Sequence, residues 1–183
     1  RNGISPYMDF FYRDHPLLEI LDLETKDSKS IVRIPPTSKF SKDEHFGRPE
    51  INFTIQHDSL YLSLSNEPLI HVYSLSDTIF WVKSLDFKPT DFIQIPGQKE
   101  PVTYSQQILL NEARIQGIYS DSSHLIINYT GGIPSEIFVQ NELKERKNFY
   151  RYPEFRNTYL KIHQKGSGWS NEIVLPKKIK FIL

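Results

Sequence analysis

The segment Ser59–Leu75 constrains the fold most, because its apolar residues do not alternate with polar ones. It divides into two strand-like runs joined by Asn66-Glu67-Pro68, a combination typical of a tight turn. Both alternating sets of positions carry apolar side chains, namely Leu60, Tyr61, Leu62 and Leu64, then Leu69, Ile70, Val72 and Tyr73. Antiparallel sheets commonly leave one face in water. A hairpin with two apolar faces therefore predicts a sheet packed between two neighbours.

Two further runs flank this hairpin. Ile51–Gln56 precedes it and ends at His57-Asp58, and Thr78–Leu85 follows Ser76-Asp77. Short runs separated by turn residues are typical of antiparallel strands. Residues 51–85 therefore predict a four-stranded meander.

Similar patterns recur along the chain. Pro16–Leu23 and Pro68–Leu75 share the order Pro, apolar, apolar, polar, apolar, apolar, polar, Leu, and Leu125–Tyr129 resembles Leu60–Leu64. Stacked sheets that repeat radially bury both faces of each sheet, as in β-propellers. We therefore predict an all-β, β-propeller-like fold with about three four-stranded antiparallel blades and the start of another. The blades lie approximately at 1–35, 51–85 and 113–176 of a single partial domain, 1–183.

The predicted strands follow from these repeats. They lie near 7–12, 17–23 and 30–34 in the first blade; at 51–56, 60–65, 69–75 and 78–85 in the second; and at 113–119, 124–129, 158–164 and 171–175 in the third. The tail 178–183 would begin a fourth blade. Because about three blades cannot close a ring, and the chain begins with Arg1 and ends on apolar Leu183, we expect a fragment of a longer protein.

An insertion separates two strands of the third blade, at roughly 130–157. Pro134 and a capping Ser135 precede a stretch that predicts a short helix near 135–147. Phe138 and Val139 leave a strand open as the alternative. The segment Lys144–Arg156 then interleaves five basic residues with four aromatic ones.

Composition excludes several chemistries. The chain has no Cys, which excludes disulfides, thiolate metal sites and a thiol nucleophile. Residues 144–183 carry 10 Lys and Arg against 3 Asp and Glu, a net charge of +7, and residues 1–143 carry 12 against 19, a net charge of −7. This asymmetry indicates either a partner surface or two parts that attract each other in the fold.

The stretch from Tyr129 to Pro176 resembles a known family. The segments Tyr129–Pro134, Tyr159–Ile162 and Glu172–Pro176, with a charged insert between the first two, are similar to a domain of unknown function in Bacteroidetes lipoproteins. Those proteins resemble six-bladed, TolB-like propellers. The resemblance implies a secreted or surface-anchored protein, periplasmic or at the cell surface. It implies no established activity and no catalytic residues.

No catalytic or metal-binding motif is present. The six histidines lack the spacing of a zinc helix, and no nucleotide-binding glycine pattern occurs. A structural role is the expectation for His15, His45, His57, His71, His124 and His163. We therefore predict no catalytic residues, no metal ligands and no cofactor.

Topology indicates where a ligand would bind. In a propeller, the turns between second and third strands share one face with the loops between blades. This loop face would collect the loops 36–50 and 86–112 with the insertion, and long loops often carry function. The predicted ligand-binding residues are Arg13, Asp14, His15, Asn66, Glu67, Arg146, Tyr150, Arg151 and Tyr152.

Two classes of function remain open. We expect a non-enzymatic binding module that recognises a protein or glycan at the cell surface. The interleaved cations and rings also occur in single-stranded nucleic-acid binding, which we do not expect here. A membrane link is expected only through a lipid anchor outside this chain. The alternative is a metal-assisted hydrolase or lyase with a site in the propeller channel.

Overall fold

The computed structural model describes residues 11–76, 78–102 and 111–177, and it is an all-β structure with few short helices. Its antiparallel strands form three sheets. The strands are β1 Leu18–Leu21 and β2 Ser28–Val32; β3 Ile51–Gln56, β4 Ser59–Leu64, β5 Leu69–Ser74 and β6 Phe80–Asp86; β7 Arg114–Ser120, β8 His124–Thr130, β9 Thr158–Gln164, β10 Gly168–Trp169 and β11 Ile173–Leu175.

The helices are short. They are α1 Phe11–Asp14, α2 Ser135–Gln140 and α3 Tyr152–Phe155, with 3-10 turns at Lys39–Ser41 and Arg146–Arg151. Within the described ranges, no helix is long and apolar enough to cross a membrane.

Strands β3 to β6 form a meander in chain order, and the third sheet runs β10-β9-β8-β7, with β11 also pairing with β9. Tight turns make these hairpins. His57 has a φ of 50° between β3 and β4, and Asp121 accepts hydrogen bonds from the backbone of Ser123 and His124 before β8. All eight strands predicted over 51–85 and 113–176 are present, within two residues of their predicted bounds.

The central strands β4 and β5 of the second sheet are buried on both faces, as the apolar hairpin predicts, whereas β3 and β6 are partly exposed. One face of β4 and β5 carries Leu60, Leu62 and Leu64, which pack with Val32, Phe40 and Phe46. The other face carries Ile70, which packs with side chains of the third sheet, namely Ile115, Ile118, Leu125, Ile127, Tyr129 and Tyr159. Burying one Leu or Ile side chain stabilises a fold by about 1.5–3 kcal/mol.

The second and third sheets also meet along their first strands. Thr54 Oγ1 on β3 lies 2.9 Å from Ser120 Oγ on β7, and Asn52 Nδ2 donates to the Ile115 carbonyl at 3.5 Å. At one end, the backbone N–H of Ile115 donates to the carbonyl of Ser65 at 2.8 Å. The described strands do not close into a barrel or ring.

Two predicted elements differ from the structure. The strand expected near 7–12 is wrong for Phe11 and Tyr12, which lie in α1; residues 7–10 lie outside the described residues. A short apolar run fits a helix and a strand equally well, and one helical turn buries the Tyr12 side chain.

The helix predicted near 135–147 ends at Gln140, because Glu142 adopts a left-handed φ of 50° that an α-helix does not accommodate. Ser135 does not cap it: the N-cap position is Pro134, without a side-chain hydrogen bond. The predicted tail strand at 178–183 lies outside the described residues.

Candidate functional site

A buried carboxylate organises the loop face. Glu67 follows β4 and is 1% exposed, and its Oε1 accepts a hydrogen bond from Ser38 Oγ at 2.8 Å. Its Oε2 accepts from the backbone N–H of Lys39 at 3.0 Å. His71 Nε2 lies 2.8 Å from Oε1. Glu67 therefore joins the turn between β4 and β5 to the loop 36–50.

The neighbouring Asn66 makes the matching connection to the second long loop. Its side chain is fully buried, and Nδ2 donates to Glu112 Oε1 at 2.6 Å and to the Gly47 carbonyl at 3.2 Å. Glu112 is 1% exposed and comes just before β7. The turn 65–67 thus holds both long loops at one end of the second sheet.

Two ionisable groups in this network are poorly hydrated. Burial raises the pKa of Glu112, although the cations of Lys39, Arg114 and Arg156 oppose that rise. Burial lowers the pKa of Lys39, opposed by the charges of Glu112 and Glu67. In such a buried pair, each charge is stabilised mainly by the opposite charge and by hydrogen bonds rather than by water.

Lys39 lies beside this network, with its ammonium group packed against two aromatic rings. Among the described residues its buried Nζ has no hydrogen-bond partner, and it lies 5.3 and 5.0 Å from the ring centroids of Phe40 and Phe46. The ring faces provide a favourable environment for a cation. Because this ammonium group is buried against the two rings, it stabilises the fold of the loop 36–50.

The insertion is fastened to the same end of the molecule. Arg156 Nη2 donates to the Glu112 carbonyl at 3.3 Å, and Asn111 Nδ2 donates to the Ile133 carbonyl at 2.6 Å. Tyr152 OH donates to the Leu143 carbonyl at 2.9 Å. The end of the insertion therefore packs beside the buried network.

The predicted site residues of the insertion divide into two groups. Arg151 and Tyr152 are engaged in structure: Arg151 contacts Glu154 and Asn141 at 3.3 Å each, and Tyr152 packs within the insertion. Arg146 and Tyr150 face solvent, Tyr150 with 76% exposure. The exposed pair is available to a ligand.

The N-terminal candidates lie near the loop 36–50. Arg13 Nη1 pairs with Asp43 Oδ1 at 3.0 Å, and the Asp14 carbonyl accepts from Arg33 at 3.4 Å. His15 is half-buried. The structure thus brings Asn66 and Glu67 together inside the fold and leaves Arg13 at its surface.

Two adjoining clefts lie near the network, and both linings include Phe46, Ile95 and Pro96. The larger has a volume of about 400 Å³ and is mainly apolar; its lining includes Phe46, Ile95, Pro96, Phe138, Val139 and Lys144. The smaller, of about 330 Å³, is lined by Lys39, Lys42, Glu44 and Gln94 among others. Concave apolar surfaces with a few polar groups are typical binding sites.

The two long loops, 36–50 and 86–112, pair with each other beside these clefts. The backbone N–H of His45 donates to the Gln98 carbonyl at 2.8 Å, and the N–H of Gln98 donates to the His45 carbonyl at 3.0 Å. Gly97 allows the close approach, because a Cβ there would lie 2.6 Å from the Glu44 carboxylate. This pairing joins the two long loops that line both clefts.

Sequence reasoning missed the apolar lining of the larger cleft. Val139 is 74% exposed, and the apolar run Ile137-Phe138-Val139 between polar residues was the available signal. Exposed apolar side chains that cluster mark an interaction surface. Phe46, Ile95 and Pro96 carried no comparable signal, since apolar loop residues more often pack inward.

The polar residues of β3 and β7 are committed to structural contacts. Beyond the Asn52 and Thr54 contacts, Arg114 pairs with Glu50 at 3.8 Å and Gln116 Nε2 donates to Thr130 at 3.4 Å. Across the residues described by the structure, no group of three or more His, Asp and Glu side chains could hold a metal ion.

Comparison with known proteins shows a similar fold. No protein-family profile matches the sequence, and no curated protein matches it significantly. One similar solved structure is a member of the DUF4221 family from Bacteroides vulgatus, with a TM-score of 0.62 and 14% identity over 94% of this chain. This chain covers 47% of that protein's length. At such low identity the likeness concerns fold alone.

Proposed function

We propose that this chain is part of a β-propeller-like binding module without enzymatic activity. Its loop face recognises a partner at the surface of the cell that carries it. Support comes from a four-stranded and a five-stranded antiparallel sheet that stack face to face and meet along their first strands, β3 and β7. Neighbouring propeller blades stack in this way. The likeness to the Bacteroides vulgatus structure concerns the all-β fold alone, and the extracytoplasmic location is part of the proposal.

The larger cleft carries the proposal. It combines an apolar floor with Lys144 at its rim, and the exposed Arg146 and Tyr150 follow shortly after in the chain. An acidic protein segment with one large apolar side chain fits this arrangement. The apolar side chain would fill the cleft, and its carboxylates would face the basic rim. Exposed charge pairs of this kind add specificity and speed of association.

The buried network supports the same role. Its buried groups Glu67, Asn66 and Glu112 fix the loops that form the cleft. A site held rigid before binding loses less conformational entropy when a ligand arrives. We therefore assign these three residues a positioning role and assign contact with the partner to the cleft and its rim.

A thermal-shift screen tests the proposal. The probes are short acidic peptides containing Leu or Phe, basic peptides of matched apolar content, and acidic and neutral glycans. We expect the acidic peptides to raise Tm, and the K144E/R146E variant to abolish that rise. The K26E/K29E variant, with the same charge change on the β1–β2 hairpin, is the control and should keep the rise.

The other outcomes are equally informative. A rise in Tm with acidic glycans alone, lost in K144E/R146E, would replace the protein partner by a glycan at the same site. Equal responses of K144E/R146E and the control variant would place binding elsewhere and contradict the proposed site.

A further inference from the structure

A third cleft lies at the opposite end of the strands from the two clefts of the loop face. It has a volume of about 350 Å³ and opens between the turn of β3 and β4, the turn of β7 and β8, and the end of β9. It separates the second and third sheets where their shared apolar core ends. The proposed binding function does not use it.

The lining of this cleft is rich in cationic and hydroxyl groups. Five basic side chains line it: His57, Lys83, His124, His163 and Lys165. Ser59, Ser122 and Ser123 add hydroxyl groups, and Asp58 is the acidic residue of the lining. At neutral pH the two lysines outweigh the single carboxylate, and protonation of the histidines would increase the positive charge.

The strand register explains why these cations converge. Lys83 pairs with Val72 and Val72 pairs with Tyr61, so Lys83 and Tyr61 lie on the face of the second sheet that packs against the third. His163 on β9 pairs with Leu125, a member of the apolar cluster between the two sheets. Lys83 therefore extends toward His163 across the gap.

The ring of His163 is held in place. The Trp169 ring lies 4.8 Å from it in an edge-to-face arrangement. Burial lowers the pKa of His163, and the positive charge of Lys83 lowers it further. The side chains of Lys83 and His163 therefore lie close enough for their charges to interact.

Few of these cations are neutralised by protein carboxylates. Within the described ranges, Lys83 and Lys165 form no ion pair. Asp121 lies nearby but is committed to the backbone N–H groups of Ser123 and His124 and to His124 Nδ1, at 2.7, 2.8 and 3.1 Å. The cleft therefore retains an unbalanced positive charge.

We propose that this third cleft binds the oxyanion of a phosphate or sulfate monoester. Ammonium and imidazolium groups, with hydroxyl donors, form the charge-assisted hydrogen bonds that such oxyanions accept. The volume of about 350 Å³ exceeds the needs of a lone oxyanion. It accommodates a small molecule of sugar size, which is at the lower end of ligand pockets. The ester group would lie between Lys83 and Lys165, with the sugar directed toward the cleft opening.

Isothermal titration calorimetry tests this assignment with glucose 6-sulfate, glucose 6-phosphate, inorganic phosphate, inorganic sulfate and glucose. We expect both esters to bind and glucose not to bind. K83Q/K165Q should weaken binding of glucose 6-sulfate at least about tenfold, since two charge-assisted contacts are lost. The control K29Q/K147Q removes two exposed lysines outside the cleft and should retain wild-type affinity.

The pH dependence provides a second readout. A sulfate ester keeps one negative charge between pH 8 and pH 6, so any change in its affinity reports on the protein. The titratable and charged groups facing it are His57, Asp58, Lys83, Asp121, His124, His163 and Lys165. Among these groups, the pKa of His163 is lowered by burial and by the charge of Lys83. A bound oxyanion would favour the charged form of His163, so affinity should rise as pH falls.

Several results would overturn the proposal. The first is that neither ester binds at millimolar concentration. The second is that K83Q/K165Q and K29Q/K147Q weaken binding equally. The third is that glucose binds as tightly as its esters. If inorganic phosphate or sulfate binds as tightly as the esters, the cleft is a simple anion site and the sugar does not contribute to binding. Lys83 and Lys165 are exposed, so we expect both variants to fold, which circular dichroism checks.

Discussion

Nε2 of His71 lies 2.8 Å from Oε1 of Glu67, and both side chains are buried. The other ring nitrogen of His71 lies 2.8 Å from Ser84 Oγ on β6. Ser84 also accepts a hydrogen bond from Trp81 Nε1 at 3.2 Å. A continuous polar chain thus connects the turn after β4 with β6, across a face that is otherwise apolar.

Replacing Glu67 by Ala should destabilise the fold by about 3 kcal/mol, because buried donors on Ser38, Lys39 and His71 lose their acceptor. Guanidinium-induced unfolding, followed by the fluorescence of Trp81 and Trp169, measures this. The control Glu24→Ala removes an exposed carboxylate and should change stability by less than about 0.5 kcal/mol. Similar losses in the two variants would mean that the buried network contributes nothing specific.

Replacing Glu112 by Gln should change how stability depends on pH. Burial raises the pKa of Glu112 in the folded state above its ordinary value of 4.5. The folded chain then holds a proton that the unfolded chain has lost, so the associated stability is present below the unfolded pKa and is lost as pH rises through the folded pKa. Gln does not ionise and still accepts from Asn66.

The stability of Glu112→Gln relative to the wild type should therefore increase as pH rises from 4 to 8. Urea unfolding at four or five pH values within this range measures the difference. A difference that stays constant, or that grows as pH falls, would contradict the raised pKa.

Two leucines test the stacking of the second sheet. Leu62 on β4 is fully buried, whereas Leu23 is 72% exposed. Leu62→Ala should cost about 2–5 kcal/mol through lost burial and a cavity, and Leu23→Ala less than about 0.5 kcal/mol. Thermal and chemical unfolding compare the two. Comparable small losses would show that the face of β4 toward Phe46 is not packed as described.

Gly132 tests the base of the insertion. A Cβ at this position would lie 2.4 Å from Ile93 Cβ and 2.9 Å from the carbonyl oxygen of Asn111. Gly132→Ala should therefore destabilise the fold by about 1–3 kcal/mol, since neighbouring backbone must move. Gly166→Ala is the comparison: its Cβ would meet nothing, but its φ of 89° is strained for Ala, with an expected cost of about 1 kcal/mol. A neutral Gly132→Ala would contradict the close approach.

The strands from 51 to 85 were predictable from sequence because turn residues such as His57-Asp58 and Asn66-Glu67-Pro68 mark their ends. The apolar faces of the hairpin also correctly indicated burial on both sides. The conformation of Phe11–Asp14 was not predictable in the same way, since a segment of four residues carries no periodic signal. Tertiary burial of Tyr12 selects the helical turn.

The candidate site was only partly predictable. The polarity of Asn66 and Glu67 correctly marked the end of the second sheet, but polarity alone does not reveal that both side chains are buried. Their partners Ser38 and Glu112 come from loops 29 and 46 residues away in sequence. Such contacts depend on how long loops fold back, which local patterns do not encode.

The burial of β4 and β5 on both faces also affects the register in which these strands pair. Alternation of polar and apolar side chains normally fixes pairing, because a slip of one residue exposes the wrong set; β4 and β5 largely lack that alternation. A slip of β5 by one residue would turn His71 toward Ile115 and Phe87, in an apolar cluster that offers its ring no acceptor. The contact between His71 and Glu67 therefore selects one register among pairings that hydrophobic burial alone would leave nearly equal in energy.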